Sequence, residues 1–310
     1  MRNIRPPTDD DYFTLALIQN GLTEPHFHVT GGALMRQDEK ASQKNVKDFG
    51  RLVLEQEGRV VGMETWWKPD FDLPDRFWIS LDLHPDHRDS ETAQVLLSAL
   101  IARVLPLGAR KLWFSAREDY LPGFPFLPDL GFREVHRTFG GGFFLDGLNP
   151  RLLTALESRL SGQGLTLRAY ADLVSDPLRD AKLHALYEAF APDKFTAPPT
   201  IPAAGGSFLD ADSILEAAFV AERGGEYVGL AVPERAGPGA WNAVLGVRRD
   251  VRGQGLGTAL QARVVAKLRE LGFSFLNTAG VKTDEAYLSV LRGLGANIEP
   301  DWVAYQKELA

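Results

Sequence analysis

The sequence predicts an α/β protein built from two successive copies of one mixed-sheet unit. Three observations predict it. The first is the stretch 244–258, VLGVRRDVRGQGLGT, where an apolar run passes through a charged turn into three alternating glycines and then an amphipathic helix. The second is a repeat with a constant offset of 164 residues: Arg88 answers to Arg252, Leu107-Gly108 to Leu271-Gly272, and Leu130-Gly131 to Leu294-Gly295. The helical stripe Leu96, Leu100, Val104 maps onto Leu260, Val264, Leu268 at that same offset. The third is that both halves alternate period-2 and period-3.6 apolar patterns in one order: strand, helices, hairpin, strand, helix, strand, helix and hairpin.

The elements follow in order. Residues 3–5 open as a strand and 9–19 as a helix, and 20–48 are mixed and polar. Residues 51–55 and 59–65 flank Gln56-Glu57-Gly58, a hairpin signal. A strand at 77–83, a helix at 93–105 and a strand at 111–116 come next. Residues 133–145 read as a terminal hairpin, and Gly140-Gly141-Gly142 as a bulge or twist in a terminal strand. Asn149-Pro150 is a cap followed by proline at the first helical position, so 151–160 is a short helix. Ser161-Gly162-Gln163-Gly164 stops it. The pattern restarts with a strand at 165–169 and a helix at 177–190. A loop rich in Pro, Gly and Thr spans 191–209, and Asp210 or Asp212 caps a short helix to 217. Residues 219–222 and 227–232 flank Arg223-Gly224-Gly225 as a second hairpin. After the glycine stretch come a strand at 273–278, a helix at 284–294 and a last strand at 301–307.

Composition narrows the function classes. A chain of 310 residues is long for one core, so two domains are expected. Apolar residues make up 45% and charged residues 24%, ordinary for a globular protein. A net charge of −7 speaks against a general nucleic-acid or anionic-membrane binder. The absence of cysteine excludes disulfides, thiolate zinc sites and a cysteine nucleophile. Residues 1–7 contain no apolar run, and the apolar stretch from Ala93 is broken by Arg103 and Pro106. The expectation is a cytoplasmic protein with no membrane segment, monomeric or a homodimer.

The glycine stretch carries the chemistry. Glycines let backbone approach a ligand closely and adopt positive φ, and the free N–H groups of a first helical turn favour an anion. A phosphate is the expected ligand. The third glycine comes one residue too early for a dinucleotide-binding fingerprint, and no lysine follows as a Walker loop requires. What remains, Arg252-Gly253-Gln254-Gly255-Leu256-Gly257, resembles the R/Q-x-x-G-x-G/A motif of the GNAT N-acetyltransferase superfamily. Its upstream context, Leu245-Gly246-Val247, falls where that family's fourth strand meets pantetheine. The order of elements in each half also matches the GNAT fold. The resemblance therefore covers nearly the whole chain and points to tandem-domain GNAT proteins of mycothiol synthase-like architecture.

The resemblance implies acetyl-CoA as cosubstrate, no metal, and acyl transfer to the amine of a small molecule. It implies a degenerate domain at 1–148, a linker helix and turn at 149–164, and the acetyl-CoA-binding domain at 165–310. Cofactor contacts carry over to Leu245, Gly246, Val247, Arg252, Gly253, Gln254, Gly255, Leu256, Gly257 and Thr258. Asp284 falls where the family often places a cofactor-contacting Asn, and reads equally well as an acidic residue at a helix start. A backbone N–H at or near Val247 is expected to polarise the thioester carbonyl. The family's usual proton-donating Tyr position is Leu291 here. Tyr287, one turn earlier on the same face, is the candidate donor, against a plain reading as a buried helix tyrosine.

The first half lacks the glycines: it reads His84-Pro85-Asp86-His87-Arg88-Asp89-Ser90-Glu91-Thr92-Ala93, with Glu91 at the offset position of Gly255. A carboxylate there would repel a pyrophosphate, so this half is expected to bind no CoA. His84 and His87 have no third ligand beside them and read as loop residues, as does His26-Phe27-His28. Trp66, Trp67 and Trp78 read as packing. No carboxylate lies on residues 241–247. Asp193, Asp210, Asp212 and Glu234 are possible bases with no pattern to choose between them. Two function classes stand: an acetyl-CoA-dependent N-acetyltransferase, and a non-catalytic acyl-CoA-binding sensor or interaction protein.

Overall fold

A computed structural model describes residues 2–25, 28–43, 48–69, 72–193, 209, 211–237 and 239–309. His26, Phe27, Asp210 and most of the 191–209 loop lie outside them. The chain forms two compact units. The first comprises Met1–Arg137 and Trp302–Ala310, the second Thr138–Ala197 and Ala203–Asp301.

In the first unit the strands are β1 (Arg2–Arg5), β2 (Phe49–Gln56), β3 (Arg59–Trp67), β4 (Arg76–Leu83) and β5 (Lys111–Arg117). They are joined by β13 (Trp302–Glu308) and the start of β6 (Arg133–Phe144), in the order β1-β2-β3-β4-β5-β13-β6. The β2–β3 hairpin turns on Glu57 and Gly58, both at positive φ (52° and 79°). That pair of values belongs to the two-residue turn whose twist matches the strands. Helix α3 (Ser90–Val104) packs Leu96, Leu97, Leu100 and Val104 onto Leu52, Leu54, Phe77 and Leu81. Helices α1 (Tyr12–Asn20) and α2 (Gly31–Gln43) place Tyr12, Leu15 and Leu34 in a second cluster with Val53 and Met63. By length and composition alone, 90–107 would pass for a membrane span. Its stripe is instead buried in this unit's own core. The expected helix at 9–19 starts with a 3-10 turn, Asp9–Asp11, because the Asp11 carboxylate accepts from the backbone and hydroxyl of Thr8 (2.6 and 2.8 Å) and holds that turn tight.

The second unit runs β6-β11-β10-β9-β8-β7, from the later part of β6 through β11 (Phe275–Val281), β10 (Gly239–Val247), β9 (Glu226–Ala236) and β8 (Phe219–Arg223) to β7 (Leu165–Ala169). Helices α4 (Pro150–Ser161), α6 (Leu256–Glu270) and α7 (Glu285–Gly293) bury Leu160, Leu260, Val264, Leu268, Leu288 and Leu291 in one cluster. Helix α5 (Arg179–Phe190) buries Leu183, Leu186 and Phe190 in another with Val220, Leu230 and Val232. Truncating a fully buried leucine such as Leu260 to alanine costs about 2–5 kcal/mol.

Two expectations are corrected. Arg133–Phe144 is one continuous strand, not a hairpin. The glycine run serves close backbone approach: a Cβ on Gly141 would lie 2.2 Å from the Asn297 carbonyl oxygen, and one on Gly142 2.5 Å from that of Leu276. The helix expected to reach Ala217 shrinks to a 3-10 turn, Leu215–Ala217. The residues before it pair with β9 instead: Ile214 N–H donates to Pro233 (2.8 Å) and Arg235 N–H to Asp212 (2.8 Å).

Relative to a division at 148 and 165, the closing strands are exchanged. In the first unit β5 pairs antiparallel with β13, from Trp302↔Arg117 to Glu308↔Lys111. In the second, β11 pairs antiparallel with β6, from Phe275↔Phe144 to Val281↔Thr138. Helix α4, read as a linker, packs Leu152, Leu153 and Leu156 against the second unit's core.

Candidate active site

The site begins where two parallel strands part. β10 pairs with β11 at Ala240↔Leu276 and Trp241↔Asn277. Beyond these residues β10 continues along β9 to Val247, with a bulge between Asn242 and Val244. β11 continues along β6 to Val281. The edge of β10 that faces β11 therefore offers backbone groups to whatever enters the gap. The gap opens into a cleft of about 690 Å³ in the second unit, lined by Asn242, Leu245–Val247, the glycine turn, Ala279–Val281 and one side of α7.

The glycine turn closes one side. A 3-10 turn, Arg249–Val251, leads to Gly253 and Gly255, at φ 75° and 86°, values that favour glycine. Gly255 is the N-cap of α6 and supplies no side-chain cap. The first intrahelical bond is Ala259 N–H to Gly255 C=O (3.0 Å), so the amides of 256–258 face outward unpaired. Gly257 is different: its φ is not positive, and a Cβ there would meet nothing closer than Val290 at 3.6 Å. Nothing in the fold requires glycine at 257, and the residue lines the open cleft.

Of the expected contacts, Leu245, Gly246, Val247, Arg252, Gly253, Gly255, Leu256, Gly257, Thr258 and Asp284 all line the cleft, as does Tyr287; Gln254 does not. Gly246 also answers to packing, since a Cβ there would strike the Phe190 ring at 2.2 Å. Arg252 donates through Nε to the Val247 carbonyl (2.9 Å) and through Nη2 to Asp193 (2.6 Å). Asp193 pairs with Arg249 as well. The two guanidiniums hold its carboxyl well below the usual carboxylate range, which makes it a weak base. Asp284 caps α7, accepting from Tyr287 N–H at 2.9 Å.

Leu291 is fully buried in the core. Tyr287, half-buried, packs on Phe139 with ring centroids 6.0 Å apart. Its hydroxyl meets Thr278 and accepts from Asn242 Nδ2 at 2.6 Å; the same Nδ2 donates to Gln261 Oε1 at 2.7 Å. Burial pushes the hydroxyl's pKa up, opposed by its hydrogen bonds with Thr278 and Asn242. Asn242, Gln261 and Thr278 belong to no motif. Their only trace in the sequence is an amide or hydroxyl set into an otherwise apolar strand or stripe.

The first unit shows how the same turn is closed. Arg88 Nε donates to the Leu83 carbonyl (3.2 Å), the counterpart at offset 164 of Arg252 on Val247. There the likeness stops. Asp89 caps α3 directly, accepting from Thr92 N–H (2.8 Å) and its hydroxyl (2.9 Å). The helix starts two residues after Arg88 rather than four after Arg252. Glu91 thus sits in the first turn and pairs with Arg2 (2.7 Å); the residue that consumes the helix amides is Asp89. Among the described residues no group of His, Cys, Asp or Glu is arranged to hold a metal, and His84 and His87 meet edge to face with ring centroids 6.0 Å apart.

Comparison with known proteins adds the following. Residues 182–290 match the model of the acetyltransferase (GNAT) family. A GCN5-related N-acetyltransferase from Sphaerobacter thermophilus is similar over 99% of this chain and 95% of that one, with a TM-score of 0.64 and 16% identity. A tandem GNAT protein from the clavulanic acid biosynthesis pathway is similar over 99% and 98%, with a TM-score of 0.53 and 15% identity. A glucosamine N-acetyltransferase region of a fungal multi-domain β-N-acetylglucosaminidase covers 99% of this chain and 38% of its own, with a TM-score of 0.60 and 12% identity. At these identities the likeness is one of fold. No curated protein matches the sequence.

Proposed function

We propose, from the match of residues 182–290 to the acetyltransferase (GNAT) family model, that this protein is an acetyl-CoA-dependent N-acetyltransferase acting on the amine of a small molecule. The observation that carries the proposal is the uncapped start of α6 beside Gly257, open to a cleft whose other wall is the unpaired edge of β10. The donor set fits the group. Unpaired amides of 256–258 and the Arg252 guanidinium suit a pyrophosphate, and the apolar walls of Leu245, Val247 and Val290 suit a pantetheine arm.

Acetyl-CoA would supply the activated acetyl group. The β10 edge, at or near Val247, polarises the carbonyl. The amine nitrogen bonds to the carbonyl carbon, the carbon–sulfur bond breaks, and Tyr287 gives its proton to the departing sulfur. The proton released by the amine returns to Tyr287 through water. No metal takes part, and neither nucleic acid nor membrane is a partner. The protein works in the cytoplasm as a monomer or homodimer.

Asp193, drawn into an arginine pair, and Asp284, spent on a helix cap, favour water over a side chain as base. The same observation favours the second reading, a non-catalytic acyl-CoA-binding sensor. Titration calorimetry should find acetyl-CoA binding at one site per chain, abolished in Gly255→Glu. Release of CoA in a screen of amines, amino sugars and aminoglycosides then separates the readings. Binding without release by any amine leaves the sensor, and no binding sinks both.

A further inference from the structure

Four polar side chains from four elements meet where β10 and β11 part: Asn242 on β10, Gln261 on α6, Thr278 on β11 and Tyr287 on α7. Asn242 is 8% exposed, Gln261 0% and Thr278 1%. A phenolic oxygen carries one hydrogen and two lone pairs. Asn242 Nδ2 donates to one lone pair at 2.6 Å, and its second hydrogen goes to Gln261 Oε1, which fixes the amide plane. Thr278 is buried, and the Tyr287 hydroxyl is the partner of its hydroxyl. Two hydroxyl hydrogens share that single contact, so one of them must find its acceptor elsewhere. Asn242 and Tyr287 line the cleft; Gln261 and Thr278 do not. The hydrogen with somewhere to go is that of Tyr287.

We infer that Asn242, Gln261 and Thr278 are positioning residues: Asn242 and Thr278 fill the two lone pairs of the Tyr287 oxygen, Gln261 holds the Asn242 amide in place, and the Tyr287 proton is left aimed into the cleft. The inference rests on the acyl-transfer reading above and deepens it. When the carbon–sulfur bond breaks, sulfur takes the Tyr287 proton, and the resulting phenolate keeps two donors, Asn242 and Thr278. The proton lost by the amine restores the phenol through water. Asp284, which caps the same helix, acts on the hydroxyl in the opposite sense to these donors. Asn242 Oδ1 and Gln261 Nε2 are left without protein partners. The opposite amide orientation would put Oδ1 on the hydroxyl and take up its proton.

The test uses the full chain without ligand. The Raman Fermi doublet of tyrosine separates a phenol oxygen that accepts hydrogen bonds from a phenol that donates them, and subtracting the Tyr287→Phe spectrum isolates Tyr287. Thr278→Val, which preserves shape, and Asn242→Ala should each shift the doublet toward weaker acceptance. A shift toward weaker donation, or none in either variant, overturns the inference whether or not acetyl-CoA binds. In a wild type that turns over, both variants should lower kcat by about 10–100-fold, with the Kd for acetyl-CoA changed less than twofold. Adding either change to Tyr287→Phe should cost nothing more. A further loss in the double variants would mean a structural role and overturn the inference, with the acyl-transfer reading intact. Failure of wild type to bind acetyl-CoA overturns that reading, and the Raman arm still decides this one.

Discussion

Two residues of the glycine turn are separable by what forces them. Gly255 is held at positive φ, so any side chain there strains the backbone as well as filling the cleft. Gly257 has an ordinary helical φ and room around it. Gly257→Glu should therefore fold with an unchanged melting midpoint, helped by better helix propensity, and lose acetyl-CoA binding by at least about 100-fold in calorimetry. A variant that binds normally would show that the first turn of α6 does not face the ligand. Asp193 gives a second residue-scale prediction. Its carboxylate occupies Arg249 and Arg252, which flank the glycine turn in sequence, and an incoming pyrophosphate must compete with it for Arg252, which lines the cleft. Asp193→Asn should tighten acetyl-CoA several-fold. Weaker binding would mean that the carboxylate braces Arg252 in its working position.

At the scale of elements, β3 carries a penalty that pH exposes. Glu64 is fully buried beside α3; burial raises its pKa to about 9, with Arg103 opposing. Below about pH 4.5 the carboxyl is protonated whether the chain is folded or not, and stability is unaffected. Between there and about pH 9 the unfolded chain ionises while the folded one holds its proton, so stability falls as pH rises. By pH 7 the loss is on the order of 3 kcal/mol. Glu64→Gln should flatten that slope and raise the midpoint at pH 8. Tryptophan fluorescence reports it well, since Trp66, Trp67, Trp78, Trp113 and Trp302 all lie in the first unit. A slope unchanged in the variant would assign the pH dependence to another group, such as Asp82, whose buried carboxyl is also raised, to about 6. Elements with local causes were legible from the sequence: the Glu57-Gly58 and Gly224-Gly225 turns, the Asn149-Pro150 helix start and the glycine turn all write their geometry into neighbouring residues. β6 was not legible, because a glycine run inside a strand and one at a hairpin look alike until the backbones beside them are known. The hydrogen bonds around Tyr287 were not legible either, since Asn242, Gln261 and Thr278 are brought together only by the fold.

For the whole molecule, the exchanged closing strands decide which fragments survive. A fragment of 165–310 lacks the β6 residues that cover β11 and the α4 leucines of the core, and it carries β13 without β5. It should aggregate through its open edge. A fragment of 138–301 contains every strand of the second unit and should stay soluble and bind acetyl-CoA like the full chain. The reverse outcome in size-exclusion and calorimetry would sink this account of the units. The repeat itself was legible from the sequence, but the exchange was not, because both candidate partners of β5 read as the same kind of closing strand. The exchange also sets a timetable on the ribosome. β5 ends at Arg117, and its partner strand begins at Trp302, 185 residues later. At ordinary elongation speeds that is a wait of about 10–40 s, during which the β5 edge is made but unpaired. The second unit closes on β6, which already exists when β11 emerges. The half of the protein that is synthesised first is thus the half that finishes folding last, and it is the nascent first unit, long before any ligand is met, that a chaperone has most reason to hold.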